Sequence, residues 1–121
     1  MADYVKFSLT AELKEKQKHI LAKLKKGGGK IRIGTNEVTK AIERGTAKLV
    51  IIAEDVQPAE IVMHLPLICK EKNVPFSYSE TRKGLGEDAG ITVSTAAIAI
   101  VEEGDAKKDI EDFAKKLKQI V

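Results

Sequence analysis

The chain has 121 residues, of which 43% are hydrophobic and 32% charged, a balance typical of a folded domain with its own core. No apolar run approaches the length of a membrane span, and a single cysteine, Cys69, excludes an internal disulfide. We therefore expect one domain over residues 1–121, soluble in a reducing cytoplasmic compartment, monomeric when free and without a metal or cofactor.

The net charge of +3 comes from 21 basic and 18 acidic residues and is distributed unevenly. Residues 14–48 contain eleven lysines and arginines but only three glutamates, whereas much of the acid lies near the C-terminus. A positive N-terminal half suits a nucleic-acid partner. A solvated, lysine-rich helix face gives the same count, so the charge alone does not decide between the two interpretations.

The first half of the chain alternates helical and extended patterns. Thr10 is a candidate N-cap, and Gly45 suits the residue just after a helix. Strict alternation predicts one short strand, and an apolar run predicts a strand buried on both faces. The predicted elements are a helix from Thr10 to about Lys26, strand Lys30–Ile33, a helix from about Thr35 to Arg44, and strand Leu49–Ala53.

The second half continues the alternation. Pro58 is tolerated in the first turn of a helix, and Asp105 is a typical N-cap. Helices that alternate with strands predict an α/β fold, a three-layer α-β-α sandwich around a small mixed sheet. The predicted elements are a helix from Pro58 to Asn73, strand Phe76–Ser79, a short helix Thr81–Gly86, a loop Gly90–Ser94, strand Ala96–Val101 and a final helix from Asp105.

A reaction centre would need a nucleophile, a base and a group that stabilises charge. His19 and His64 lie within predicted amphipathic helices, which favours surface or hydrogen-bonded helix residues over catalytic bases. Glu54 and Asp55 end a buried strand, where α/β proteins place reactive groups. The structural alternative, which we favour, is that Asp55 or a neighbour caps the helix that opens at Pro58. A small α/β enzyme or phospho-acceptor that uses Glu54 and Asp55 therefore stays an alternative.

The segment Gly34–Lys40 combines residues that suit a binding surface. A helix that starts at Gly34 or Thr35 leaves its first backbone amides without intrahelical partners, and such an end attracts oxygen atoms. Asn36, Glu37 and Lys40 then share one exposed face of that helix. An amide, a carboxylate and an ammonium together match the edges of nucleic-acid bases. The alternative is that these residues only stabilise the start of the helix, because Thr, Asn and Glu are favoured at any helix start.

Motifs along nearly the whole chain resemble the archaeal ribosomal protein L7Ae, a family that binds kink-turns in RNA. The resemblance agrees with the α-β-α sandwich predicted from periodicity. The matching segments, in chain order, are Gly34–Gly45 (GTNEVTKAIERG), Leu49–Pro58 (LVIIAEDVQP), His64–Leu67 (HLPL), Lys72–Pro75 (KNVP) and Leu85–Ile91 (LGEDAGI).

The resemblance implies recognition of a three-nucleotide bulge next to tandem sheared G·A pairs. By that analogy Asn36, Glu37 and Lys40 contact the G·A pairs. Gly34, followed by Thr35, lets the backbone approach the RNA closely, and Arg32 touches a phosphate. The pocket for a flipped nucleotide of the bulge is formed by Gln57, Pro58 and Ile61 on one side and by Ile91, Thr92, Val93 and Ser94 on the other, with Arg82 nearby.

The resemblance also implies the partners: ribosomal RNA, box C/D and box H/ACA guide RNAs, ribonuclease P RNA, and the scaffold proteins of guide particles. It implies no chemistry by the protein itself. A stand-alone RNA-binding regulator of the same fold is a second possibility. One residue departs from the family pattern, because Ile33 stands where the family commonly has a basic residue before the glycine. We expect this departure to remove a phosphate contact.

Overall fold

The computed structural model describes residues 9–91 and 93–120, without the side chains of 118–120. Four strands in this part of the chain form one mixed sheet in the order β1-β4-β2-β3. Strand β4 pairs antiparallel with both β1 and β2, whereas β2 and β3 are parallel. The strands are β1 (Lys30–Ile33), β2 (Leu49–Ala53), β3 (Phe76–Ser79) and β4 (Ala97–Glu102).

Helices cover both faces of the sheet, and the predicted three-layer sandwich is confirmed. Helix α2 packs on β1, β4 and α3, while α1 contacts α4 and α5. No helix among the described residues is long and apolar enough to cross a membrane. The helices are α1 (Ala11–Lys26), α2 (Thr35–Glu43), α3 (His64–Glu71), α4 (Arg82–Ala89) and α5 (Lys107–Ile120).

Strand β2 lies at the centre of the core. All five of its residues are buried, as the apolar run predicted. On one side α2 contributes Val38, Ala41 and Ile42, and Val38 and Ile42 have no solvent exposure at all. Burying a Val, Leu or Ile side chain contributes about 1.5–3 kcal/mol. The core therefore fixes which side of α2 turns inward and which side remains in solvent.

Two helix starts differ from the sequence prediction. The residues after Pro58 form a 3-10 turn, Ala59–Ile61, and α3 begins only at His64. Asp105 lies inside a second 3-10 turn, Gly104–Ala106, and does not cap α5. The local pattern missed these turns because tertiary packing shapes them. Two boundaries also shift, because α4 extends to Ala89 and β4 starts one residue later than predicted.

The triple glycine between α1 and β1 allows close packing against the second 3-10 turn. Gly104 has φ +53°, and a Cβ there would overlap the carbonyl of Gly27. A Cβ on Gly29 would overlap the side chain of Leu24, and a Cβ on Gly27 would lie 2.9 Å from Asp105. These glycines therefore let the segment after α1 and the Gly104–Ala106 turn approach each other closely, which residues with a side chain would prevent.

Candidate nucleic-acid interface

One edge of the sheet gathers the loops that carry the predicted site residues. The backbone amide of Gly34, just after β1, donates to the carbonyl of Ala97 at the start of β4, over 3.0 Å. The amide of Glu54, just after β2, donates to the carbonyl of Ser79 at the end of β3, over 2.8 Å. Because β4 starts beside the end of β2, the ends of β1, β2 and β3 and the start of β4 meet there.

Gly34 is the N-cap of α2 and has a backbone conformation that few other residues adopt. Its φ is +93° and its ψ is 151°, in the region that favours glycine. No side chain caps this helix, and a Cβ built on Gly34 would meet no described atom within 4 Å other than those of Gly34 and its chain neighbours. Because the first backbone amides of a helix have no intrahelical partner, those of α2 from Thr35 onward are available to a ligand oxygen.

Three side chains project from α2 beside this open helix end, and we call Asn36, Glu37 and Lys40 the reading face. All three are exposed. The ammonium of Lys40 lies 3.7 Å from the carboxylate of Glu37, and about half of each side chain is accessible. An exposed pair of this kind contributes little to stability. Both groups thus remain available to exchange their mutual contact for a ligand.

A cleft of about 250 Å³ lies next to the reading face, between α2 and the β1–β4 edge. Arg32, predicted from the resemblance, lies in it together with Arg44, which sequence reasoning missed. The signal for Arg44 was its position four residues after Lys40, on the same helix face. Neither arginine forms an ion pair with a residue that the structure describes. The cleft is lined by Arg32, Glu37, Lys40, Ala41, Arg44, Thr46, Val101 and Glu102.

The segment after β2 presents its predicted residues to solvent. Gln57 and Pro58 are exposed, and Ile61 is 44% exposed although it is a large apolar residue. This segment follows β2 at the sheet edge defined above. It therefore offers an apolar surface at the same end of the molecule as the reading face.

The loop before β4 lies against α4. The amide of Ile91 donates to the carbonyl of Gly86 over 3.0 Å, and the backbone of Val93 passes so close that a Cβ on Gly86 would overlap its carbonyl. The Val93 side chain is 65% exposed, Ser94 is exposed and Ile91 is half-buried. Thr92 lies outside the described residues. The loop thus places an exposed apolar group, Val93, just before β4.

Asp55 caps a helix, but a different one from the helix that the sequence suggested. Its Oδ1 accepts a hydrogen bond from the backbone amide of Arg82, the first residue of α4, over 2.8 Å. Thr81 caps the same end by accepting from the amide of Gly84 over 2.9 Å. The guanidinium Nε of Arg82 lies 3.8 Å from Asp55, which holds this predicted site residue near the end of β2. Burial raises the pKa of the neighbouring Glu54, while Lys14 opposes the shift.

Several lysines of the basic N-terminal half are paired within the protein. Those on α1 contact carboxylates from α1 itself, from the end of β3 and from α5. Such surface pairs add little stability, but they offset the positive charge of α1. The pairs are Lys14–Glu80 at 2.6 Å, Lys16–Glu12 at 3.4 Å and Lys23–Asp109 at 2.8 Å.

The fold and the site together define a small α/β protein with an open helix end, exposed hydrogen-bonding groups and a basic cleft. Within the part of the chain that the structure describes, no cluster of His, Cys, Asp or Glu could hold a metal ion. A family model described as the ribosomal protein L7Ae/L30e/S12e/Gadd45 family matches residues 15–110. The chain belongs to this family, which confirms the resemblance found in its motifs.

A solved structure gives an independent comparison. The protein is similar to the 15.5 kD RNA-binding protein of Giardia lamblia, with 31% sequence identity and a TM-score of 0.88. The match covers 100% of both chains. The likeness therefore includes every element that carries the candidate site.

Proposed function

We propose that this protein binds RNA and recognises kink-turns, in which a three-nucleotide bulge adjoins tandem sheared G·A pairs. Membership of the L7Ae family and the likeness to an RNA-binding protein from Giardia lamblia support RNA binding. The observation that carries the finer proposal is the reading face beside the uncapped start of α2.

The chemistry of the reading face favours bases over phosphates. A carboxylate repels phosphate, yet Glu37 lies in the same cleft as Arg32 and Arg44. A carboxylate accepts hydrogen bonds from base N–H groups, and an ammonium such as that of Lys40 donates to guanine O6 or N7. Sheared G·A pairs leave guanine edges open to such groups. The amide of Asn36 both donates and accepts, so the three side chains suit a pair of different bases.

The two segments at the sheet edge supply the proposed pocket for the flipped nucleotide. Sequence-specific RNA readers commonly bind splayed bases through apolar contact and stacking. Ile61 and Val93 are exposed apolar groups that suit the faces of a base. Gln57, Pro58 and the backbone around Ser94 would complete the two walls. Arg82, held by Asp55, would lie near the nucleotide's phosphate.

Phosphate contacts would come from the cleft beside the reading face. Arg32 and Arg44 carry planar guanidinium groups, which match the oxygens of a phosphate better than an ammonium does. Contacts of this kind set register and salt dependence but carry no sequence information. The arginines would thus strengthen binding to RNA in general, and the reading face would select the kink-turn.

The proposed role is structural, with the RNA bent and held for other components. The candidate RNAs are ribosomal RNA, box C/D and box H/ACA guide RNAs, and ribonuclease P RNA. In guide particles the bound kink-turn would recruit a scaffold protein, which in box C/D particles brings a methyltransferase. Asp55 is engaged at the start of α4, and this contact accounts for it without a reaction.

A gel-shift experiment tests the proposal. The protein is titrated into a kink-turn RNA and into the same RNA with both G·A pairs replaced by Watson–Crick pairs. Markedly tighter binding to the intact kink-turn is the expected result. Equal affinity for the two RNAs would overturn kink-turn recognition and leave only general RNA binding.

A further inference from the structure

A chain of hydrogen bonds joins the start of α3 to the start of α2. The hydroxyl of Thr39 donates to the backbone carbonyl of Thr35, the first residue of α2, over 2.8 Å. The same oxygen lies 2.8 Å from Nε2 of His64, the first residue of α3. Both Thr39 and His64 are half-buried between the two helices.

The direction of these bonds follows from the number of hydrogens. A threonine hydroxyl has one hydrogen, and a carbonyl oxygen can only accept, so the 2.8 Å contact with Thr35 uses that hydrogen. Towards His64 the hydroxyl oxygen must therefore accept, so Nε2 of His64 carries the hydrogen. The order of donation is His64 to Thr39 to Thr35, and it ends at the first turn of α2.

The start of α2 is anchored by the backbone bond from Gly34 to Ala97 and by the two contacts of the Thr39 hydroxyl. Helix α2 has nine residues, fewer than an isolated helix needs to persist in water, and no side chain caps its start. The buried residues Val38, Ala41 and Ile42 hold the side of α2 that faces the sheet. The bond from His64 instead holds Thr39, which lies between Val38 and Lys40 in the chain.

We propose that His64 is a positioning residue for RNA recognition: through Thr39 it holds the first turn of α2, and with it the reading face, in its binding orientation. The inference rests on the proposed function, because the benefit is tighter kink-turn binding. A side chain that is already held in place loses less conformational freedom when the ligand binds. His64 itself contacts no RNA base in this proposal.

Four substitutions separate the hydrogen bonds from packing. His64→Leu and Thr39→Val remove one partner each at similar size, while His64→Gln keeps an N–H donor and Thr39→Ser keeps the hydroxyl. His19→Leu, the same change on the exposed face of α1, is the matched control. Each protein is titrated with the intact and the G·A-replaced kink-turn at a temperature well below its melting transition.

His64→Leu and Thr39→Val should each weaken kink-turn binding about two- to tenfold, the effect of one hydrogen bond. The double variant should bind no more weakly than Thr39→Val alone, because that substitution already removes the bond from His64. His64→Gln, Thr39→Ser and His19→Leu should bind nearly as the wild type does. Additive losses, no rescue by His64→Gln, or equal weakening for both RNAs would overturn the positioning role.

Two measurements on the free protein keep this test separate from the proposed function. Nitrogen NMR of the imidazole should place the hydrogen of His64 on Nε2. Hydrogen exchange should be faster for the α2 amides in His64→Leu and return to the wild-type rate in His64→Gln. Unchanged exchange would overturn the proposal even if the RNA is recognised. If wild-type protein does not distinguish the two RNAs, the proposed function fails, and these measurements still decide whether His64 holds α2.

Discussion

The carboxylate of Asp55 accepts the backbone amide hydrogen of Arg82 over 2.8 Å, which connects the end of β2 to the first residue of α4. The two residues are 27 positions apart in the chain. The local pattern predicts that Asp55 caps the helix that opens at Pro58. In the fold it instead caps α4, which begins at Arg82. The contact brings Arg82 to the edge that also carries Gln57 and Pro58.

Replacing Asp55 with alanine should lower stability. The start of α4 loses one of its two capping oxygens, and the loss of a cap costs about 0.5–2 kcal/mol. Urea denaturation measures the change, with Glu111→Ala on the exposed face of α5 as the control that removes the same charge. Asp55→Asn should retain most of the affinity for a kink-turn RNA. A catalytic or phospho-acceptor activity of the wild type that Asp55→Asn abolishes would instead favour an enzyme or phospho-acceptor that uses this carboxylate.

Glu37→Ala should reduce kink-turn affinity by about 1–3 kcal/mol, the range for a good base contact. The variant loses an acceptor for base N–H groups, but it also loses a negative charge, so binding to unrelated duplex RNA should be unchanged or slightly tighter. Glu43→Ala, at the exposed end of the same helix, is the matched control. Parallel gel shifts with both RNAs give the comparison. If both glutamate variants bind like the wild type, Glu37 only stabilises the start of the helix.

Arg44→Gln should change the salt dependence of binding rather than its specificity. If Arg44 contacts one phosphate from the cleft, its loss should reduce the slope of log K against log salt by about 0.7–0.9. The ratio of affinities for the intact and G·A-replaced RNAs should stay constant. Lys26→Gln, at the exposed end of α1, removes the same charge away from the cleft. An equal change of slope in both variants would mean that only net charge matters.

Gly86→Ala should disturb the proposed nucleotide pocket by displacing the loop that contains Val93. A Cβ at Gly86 would overlap the backbone carbonyl of Val93, so the loop or the helix must move. Overpacking of this kind costs about 1–3 kcal/mol, and we expect weaker kink-turn binding together with a lower melting temperature. Gly84→Ala on the same helix approaches only the side-chain oxygen of Thr81 and should cost less. Comparable losses in the two variants would show that the loop is not held by Gly86.

Periodicity predicted the layers of this fold because its strongest signals come from burial. The apolar run of β2 occupies the core, and it was identified from the sequence as a strand covered on both faces. Thr10 was also identified as the N-cap of α1. Its hydroxyl accepts a hydrogen bond from the amide of Leu13, a contact within one turn. These features depend on residues a few positions apart, which a single sequence displays directly.

The features that sequence reasoning missed depend on distant residues. The Gly104–Ala106 turn packs against the glycines after α1, and Asp55 is paired with Arg82. The contact between Thr39 and His64, which are 25 positions apart in the chain, joins two different helices. Nothing in the local pattern distinguishes these partners from other polar neighbours. The candidate site could be located from the helix start and the family motif, whereas the contacts that support it required the fold.

Ile33 stands where the resemblance to the family led us to expect a basic residue, and its position decides the final prediction. It pairs with Ile98 of β4 through the backbone of the edge strand β1, and its side chain is 38% exposed. Replacement by lysine therefore buries no charge, because the long side chain can extend its ammonium into solvent. Stability should change little, in contrast to a lysine placed in the core.

Ile33→Lys should increase affinity for kink-turn RNA by adding a cation one residue before Gly34. If the new ammonium contacts one phosphate, the slope of log K against log salt should steepen by about 0.7–0.9. Ile33→Gln is the matched control, since it removes the same apolar group without adding charge. Binding measured at several salt concentrations, together with the melting temperature, tests the prediction. An unchanged slope with an unchanged melting temperature would mean that the side chain of residue 33 points away from the RNA.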